Sequence, residues 1–402
     1  MAAGTFAPII DGLLRGEIAT KEDLHRAKVE LCRSGVLAAI PRDADILAAA
    51  DADVRPRIEP MLRTKASRTA SGVAVVAAMT APYPCPHGRC VYCPGGPTRG
   101  TPQSYLGTEP AAMRGAQHGY DPYRQTRARV EQLRAIGHAT DKVDFIVLGG
   151  TFTNFPAAYR ESFVKGCYDG LNGFESPTLA DAMRANETAA NRMIGLTIET
   201  KPERFGPADV AYAMSLGVTR VEFGVQSAFD DVLARVNRGH TVQDVREATR
   251  RAKDAGLKVC YHMMPGLPGS DAERDLASFR TIFEDPDFRP DMLKIYPTLV
   301  LPGTGLHELW RRGEYEPLTT EEVVERVAAA KEVVPPWVRI LRIQREIGVP
   351  EVVAGLAAGN VRELARARLA AEGKRCRCIR CREVGLRHRG FRDSEVRLSR
   401  QG

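Results

Sequence analysis

The stretch VAVVAAMTAPYPCPHGRCVYCPGGP, residues 73–97, decides the fold. Val73 to Met79 is the longest uninterrupted apolar run in the chain, enough for a buried strand and far short of a membrane span. A Pro/Gly-rich loop follows at once, with Cys85, Cys90 and Cys93 spaced C-x4-C-x2-C. Beyond it, apolar runs recur at VDFIVLGG (143–150), IGLTIET (194–200), RVEFGVQ (220–226), LKVCYHMM (257–264) and MLKIYP (292–297). Helical stretches such as PYRQTRARVEQLRAIG, PADVAYAMSLG and TVQDVREATRRAKDAG lie between them. Short strands alternating with helices predict parallel pairing through crossover helices. Counting VAVVAAM, six strand–helix units fill residues 73–297, an α/β arrangement that suits a TIM-like partial (β/α)6 barrel. An open doubly wound sheet is the alternative, because sequence does not show closure. Residues 1–70 read as a helical segment without strand signal, 71–315 as the barrel, and 316–402 as a C-terminal extension.

Composition sets several classes aside. Of 402 residues, 44% are hydrophobic and 27% charged, an ordinary globular balance. The first residues, MAAGTFAPIIDGLLRGE, carry neither a charged start nor a long apolar stretch, so the expectation is a cytoplasmic protein without membrane attachment. The net charge of +7 is concentrated: residues 361–402 hold 13 Lys or Arg against 5 Asp or Glu, leaving the rest at −1. Such a tail suits phosphate contact, since lysine and arginine release counterions from a nucleic-acid backbone; a merely solvated terminus is the alternative. Nine cysteines, six of them in two tight clusters, read as metal ligands in a reducing compartment.

The first cluster lies on a loop at the C-terminal end of a strand, where barrels carry their reactive groups. Three thiolates on one loop hold a cuboidal iron–sulfur cluster and leave a fourth iron open. Zinc is the alternative; it needs a fourth ligand, and His87 sits very close in sequence to Cys85 and Cys90 for a tetrahedron. Gly149, Gly150 and Thr151 end the next strand at the same mouth. Glu199 and Gln226 end the third and fourth, and His262 lies at the end of the fifth.

The motifs CVYCPGGP, PQSYLGTEPAAMR, LGGTF, LTIETKPE, NRGHTVQDV, HMMPGLPG, FRPDMLKIYPTLV and PPWVRILRIQREI resemble the catalytic subunit family of elongator, within the radical S-adenosylmethionine superfamily. The resemblance covers about residues 63–385. It implies a [4Fe-4S] cluster on Cys85, Cys90 and Cys93 that holds S-adenosylmethionine by its amino and carboxylate groups. Reductive cleavage then gives a 5′-deoxyadenosyl radical, which takes hydrogen from the methyl of acetyl-CoA. The carbon radical adds to C5 of the wobble uridine of tRNA, and loss of CoA leaves a carboxymethyl group. Candidate cofactor contacts are Gly149, Gly150, Thr151, Glu199 and Gln226. Lys294 and Tyr296 alternate on one strand face and are the candidate catalytic pair, with Lys294 expected to act in proton transfer through a lowered pKa if buried.

Cys376, Cys378 and Cys381, spaced C-x-C-x2-C among arginines, suit a zinc site; prokaryotic members of the family resemble this pattern, and His388 is one candidate for a fourth ligand. Arg375, Arg377, Arg380, Arg382, Arg387 and Arg389 would then face the tRNA anticodon stem-loop, extended by Lys21, Arg26, Lys28, Arg63, Lys65 and Arg68. Family members continue past REVG into an acetyltransferase domain, which this chain, ending at Gly402, is expected to lack. The one string fitting its pyrophosphate turn, Arg134 to Ala139, lies between a helix and a strand, so Gly137 reads as a helix stop. A separately supplied acetyltransferase domain or protein and a second copy of the chain are the further candidate partners; DNA is not expected. The competing function is an iron–sulfur or zinc tRNA-binding scaffold without radical chemistry.

Overall fold

The computed structural model describes residues 3–65 and 68–383. Seven parallel strands form one sheet in sequential order: β1 (Ala74–Met79), β2 (Lys142–Leu148), β3 (Arg192–Thr200), β4 (Arg220–Gln226), β5 (Lys258–Met263), β6 (Met292–Ile295) and β7 (Arg339–Ile343). The sheet curls into a half-barrel. β1 pairs only with β2 and β7 only with β6, so the two outer edges never meet.

Period-2 alternation builds the two faces. Val76 stands beside Phe145, Phe145 beside Leu196, Val221 beside Val259, and Leu293 beside Ile340. These buried side chains meet the crossover helices in one continuous core. The intervening positions, Asp144, Arg220, Glu222, Gly224, Gln226, His262 and Lys294, line the concave side. One strand thus carries both layers: in RVEFGVQ the odd residues build core and the even ones build site.

The strand count differs from the six expected. β7, RILRI, lies in the segment assigned to the C-terminal extension and pairs in parallel with β6. Its five residues hold two arginines among three aliphatics, too short and too charged to stand out as a strand.

The N-terminal segment is helical, as expected: α1 (Ala7–Arg15), α2 (Lys21–Arg33), α3 (Asp43–Ala49) and α4 (Arg55–Leu62). Their small core joins Phe6, Ile9, Leu24, Ile46, Leu47 and Leu62. Thr20 and Asp23 cap α2 reciprocally, and Gly35 at φ +76° closes its far end. After β1 come α5 (Pro110–Gln117) and α6 (Pro122–Ala135). Gly137, at φ +81° just past α6, is the helix stop read from the sequence.

Together α5 and α6 cover the free edge of β1. The Gln125 amide accepts from the Met79 N–H at 2.8 Å and donates to the Met79 carbonyl at 3.0 Å. Arg114 donates to the Ala77 carbonyl at 3.3 Å. Buried backbone groups that lack a neighbouring strand are satisfied by side chains instead. Among the described residues no helix is long and apolar enough to cross a membrane.

Candidate active site

The loop after β1 is fixed by two tight turns. Gly88 donates its N–H to the Cys85 carbonyl at 3.2 Å, and Cys93 donates to that of Cys90 at 3.0 Å. Val91 between them donates to Val236 at 3.0 Å and accepts from Leu306 at 2.8 Å. These bonds hold the three cysteines on one loop, with Cys85 and Cys90 lining a cavity and Cys93 buried beside them. Each sulfur meets a polar side chain: Thr151 Oγ1 lies 3.5 Å from Cys85, Gln103 Nε2 donates to Cys93 at 3.0 Å, and Arg238 approaches Cys90 at 3.7 Å. Burial pushes the Cys85 thiol up, so loading a metal there releases protons.

His87 is placed as a hydrogen-bonding side chain and not as a metal ligand. Its Nδ1 accepts from the buried Lys201 ammonium at 2.9 Å, which leaves Nε2–H to donate to Cys90 Sγ at 3.3 Å. Burial, Lys201 and Arg238 pull its pKa down to about 4, so the ring is neutral at pH 7. Among the described residues, two groups of three ligand atoms lie within 4.8 Å of one another, Cys376–Cys378–Cys381 and Glu222–Cys260–His262; the loop thiols are not among them. Three separated thiols, with hydrogen-bond donors and a cation on their sulfurs, fit a cuboidal cluster better than a single ion.

Glycines at the mouth have steric reasons. A Cβ on Gly149, at φ +133°, would stand 1.9 Å from Thr80 Oγ1. One on Gly95 would stand 1.7 Å from the Tyr105 carbonyl oxygen. The mouth opens into a cavity of about 920 Å³ lined by Cys85, Gly150, Thr151, Glu199, Gln226 and Tyr296, among others. Gln226 takes φ +73°, and its buried Oε1 has no partner. Thr80 Oγ1 is likewise unpartnered. Of the expected cofactor contacts, Gly150, Thr151, Glu199 and Gln226 share this wall, while Gly149 packs behind it on Thr80.

Below the mouth runs a chain of buried charges. Glu222, fully buried, takes the Lys294 ammonium and lies 2.7 Å from His262 Nε2. Lys294 reaches Glu199 at 3.4 Å, and Glu199 accepts from the Tyr105 hydroxyl at 3.4 Å. Arg220 pairs with Asp144 at 3.0 Å. Lys294 corrects the sequence expectation: burial lowers its pKa, but Glu222, Tyr296 and Glu199 outweigh that and hold it well above the ordinary lysine value. It is a fixed ammonium and a hydrogen-bond donor, not a neutral base. Tyr296 stands just past β6, its ring edge-on to His262 at 5.3 Å.

The chain matches the ELP3 N-terminal domain over residues 3–70, the radical SAM superfamily over 82–280, and the radical SAM C-terminal domain over 290–371. It is 46% identical over 381 residues to a tRNA uridine(34) acetyltransferase of Methanocaldococcus jannaschii, covering 94% of this chain and 70% of that one. It is 46% identical over 404 residues to Elongator complex protein 3 of Drosophila melanogaster, covering 98% and 73%. A solved structure of archaeal Methanocaldococcus infernus Elp3, with an N-terminal deletion of residues 1–46, superposes with a TM-score of 0.68 at 44% identity, over 77% of this chain and 65% of that one. The chain belongs to the elongator catalytic-subunit family of radical S-adenosylmethionine proteins. That membership implies a [4Fe-4S] cluster with S-adenosylmethionine, and the loop thiols have the chemistry to receive it.

The second cysteine group is compact. Cys376, Cys378 and Cys381 converge, with the buried Lys331 ammonium 3.4 Å from Cys381 Sγ. Ile379 N–H donates to the Val338 carbonyl at 3.0 Å, tying the trio to the start of β7. Arg375, Arg377 and Arg382 are exposed, and Arg380 pairs with Glu383 at 3.0 Å. His388, Arg387 and Arg389 lie outside the described residues.

Several of the N-terminal basic residues are paired with carboxylates. Lys28 is buried on Asp43, which also takes Lys21 at 2.9 Å. Arg26 pairs with Asp23, and Arg63 with Glu59 at 2.7 Å. Asp23 and Glu59 are helix-spaced partners, whereas Asp43 is brought to Lys21 and Lys28 from the following helix, α3.

Sequence reasoning missed Arg238, Lys201, Gln103 and Glu222. Arg238 and Lys201 sit in the quoted motifs NRGHT and TKPE, where charge beside glycine or proline in a strand-end turn was the available signal. Glu222 could have been found as the central acid of an otherwise apolar strand.

Proposed function

We propose that the chain forms a carboxymethyl group at C5 of the wobble uridine of tRNA, drawing its two carbons from acetyl-CoA. The observation that carries this reading is the junction of three separated thiols with a polar, charge-balanced lumen beneath them, in a chain closely similar to tRNA uridine(34) acetyltransferases. When bound, the cluster and S-adenosylmethionine supply a primary carbon radical able to take hydrogen from an unactivated methyl group. Overall, uridine, acetyl-CoA, water and one S-adenosylmethionine give carboxymethyluridine, CoA, methionine, 5′-deoxyadenosine and a proton, so atoms and electrons balance.

In this reading Gly150 and Thr151 bound the amino end of S-adenosylmethionine, and Gln226, with its unsatisfied amide oxygen, and Glu199 bound its ribose or methionine part. Gly149 keeps the backbone close enough for that approach. Arg238 sets positive charge against the Cys90 sulfur. Lys294, held charged between Glu222 and Glu199, orients a substrate carbonyl, and Tyr296 closes the same wall against water. Cys376, Cys378 and Cys381 hold a structural zinc that stiffens the C-terminal basic surface for the anticodon stem-loop.

The test is anaerobic reconstitution with iron and sulfide, followed by incubation with S-adenosylmethionine, a reductant, tRNA and acetyl-CoA, with and without a separately supplied acetyltransferase domain. Formation of 5′-deoxyadenosine together with carboxymethyluridine is expected. Absence of 5′-deoxyadenosine in cluster-loaded protein defeats the radical reading. Its formation without any change at the wobble position defeats the substrate reading.

A further inference from the structure

A histidine faces the lumen with a buried carboxylate behind it. His262, on β5, lines the cavity beside Lys294 of β6, its partner in register. Its Nε2 lies 2.7 Å from Glu222 Oε2, and Glu222 is fully buried. Lys294 and Arg220 face the same carboxylate, so Glu222 is ionised and can only accept. The proton of a neutral imidazole therefore sits on Nε2, and Nδ1 carries the lone pair. Among the described residues, no protein group hydrogen-bonds Nδ1. The side chain keeps 12% of its surface exposed, against none for Glu222.

The other acid–base groups of the lumen are already engaged. Lys294 is an ammonium held by Glu222 and Glu199. Asp144 takes Arg220 at 3.0 Å, and Glu346 takes Arg342 at 2.9 Å. Glu199 takes Lys294 and the Tyr105 hydroxyl, both at 3.4 Å. Glu109 accepts from the Leu106 and Gly107 N–H groups. His118, the other histidine on the cavity wall, stands just past α5, and among the described residues no carboxylate holds its ring. Nor is the trio of Glu222, Cys260 and His262 an ion site, because Lys294 already supplies the cation on that carboxylate. An imidazole with one nitrogen anchored and the other free is a proton acceptor of fixed direction.

We propose that His262 is the base that takes the proton from C5 of the uracil ring once the new carbon–carbon bond has formed, with Glu222 as its positioning residue. This assignment rests on the proposed tRNA reaction. Addition of the carbon radical leaves C5 bearing both its hydrogen and the new substituent, with the unpaired electron at C6. The C5–H bond then breaks, and its proton goes to Nδ1. Its electron pair and the unpaired electron restore the C5=C6 double bond with one electron over. That electron returns to the iron–sulfur cluster, which gave one up when S-adenosylmethionine was cleaved. Atoms and electrons balance with no further oxidant. The imidazolium that forms is stabilised by the Glu222 carboxylate behind it.

The experiment is a single turnover of cluster-loaded protein with acetyl-CoA and tRNA carrying hydrogen or deuterium at C5 of uridine. His262→Ala should form 5′-deoxyadenosine to the wild-type extent, while carboxymethyluridine falls about 100-fold or more. Added imidazole should restore part of that product. Deuterium at C5 should slow product formation in the variant, because removal of that proton has become the slow step. A purely structural ring would instead lower 5′-deoxyadenosine and product together, with no isotope dependence, and that result overturns the assignment. So does carboxymethyluridine at the wild-type rate. Should His262→Ala fail to fold, His262→Gln carries the same test, since its amide can donate to Glu222 and cannot take a proton. Wild-type protein that makes 5′-deoxyadenosine and no carboxymethyluridine removes the proposed reaction, and this assignment with it.

Discussion

Glu222 fixes the protonation state of everything around it. Its carboxyl is held far below the ordinary range: burial opposes this, and Lys294, His262 and Arg220 prevail. A depressed carboxylate contributes stability above its unfolded pKa of about 4.3 that is lost as pH falls toward the folded value. Glu222→Gln should therefore flatten the acid limb of a urea-midpoint profile below about pH 4. At neutral pH the same change removes one anion from Lys294 and should cost about 3 kcal/mol. The lysine has the opposite sign: its contribution is present below about pH 10.4 and fades as pH rises through its raised value. Lys294→Ala should keep the iron cluster, measured by its visible absorbance, and lose tRNA modification. Retained modification at the wild-type rate would remove Lys294 from the mechanism. The residue types of this network were readable as alternate polar positions on strands. Their pairing was not, because Glu222 in β4 meets Lys294 in β6 only through the curl of the sheet.

At the scale of elements, β1 is the informative case. Its apolar run identified it from sequence, and so did the cysteine loop at its end. Nothing local announced that one edge would be finished by side chains. Gln125 is an ordinary-looking glutamine in a polar helix, yet it is completely buried and supplies both bonds a neighbouring strand would have made. Gln125→Leu should leave the Met79 N–H and carbonyl unpaired and cost about 2 kcal/mol or more by chemical denaturation. Gly149→Ala meets Thr80 Oγ1 as well as an unfavourable φ, so it should destabilise the fold by about 1–3 kcal/mol and weaken S-adenosylmethionine binding in calorimetry. β7 escaped sequence reading for a related reason. Ile340 and Ile343 are buried, but Arg342 between them lines the cavity and, with Arg339 at the strand's start, breaks the apolar signature.

Across the whole molecule, the proposed reading divides the metal chemistry between two cysteine groups at different spacings. One lies on the loop beyond β1 and the other beside the start of β7. Cys378→Ser should abolish bound zinc, measured by elemental analysis, while iron loading at Cys85, Cys90 and Cys93 persists. Faster amide exchange in Arg339–Ile343 should accompany it, because the trio's loop is bonded to Val338. Equal loss of both metals would contradict this division. The overall class was legible because cysteine spacing and strand–helix alternation are local patterns. The grouping of the cavity-lining arginines was not, because Arg68, Arg129 and Arg342 come to one space only through the curved sheet.

That the sheet stops at seven strands decides what size of molecule it can serve. A closed barrel is a cup, filled and emptied through its top by things small enough to fall in. This one has a side doorway. A polymer of any length can lay one link across the sill while everything before and after it stays outdoors.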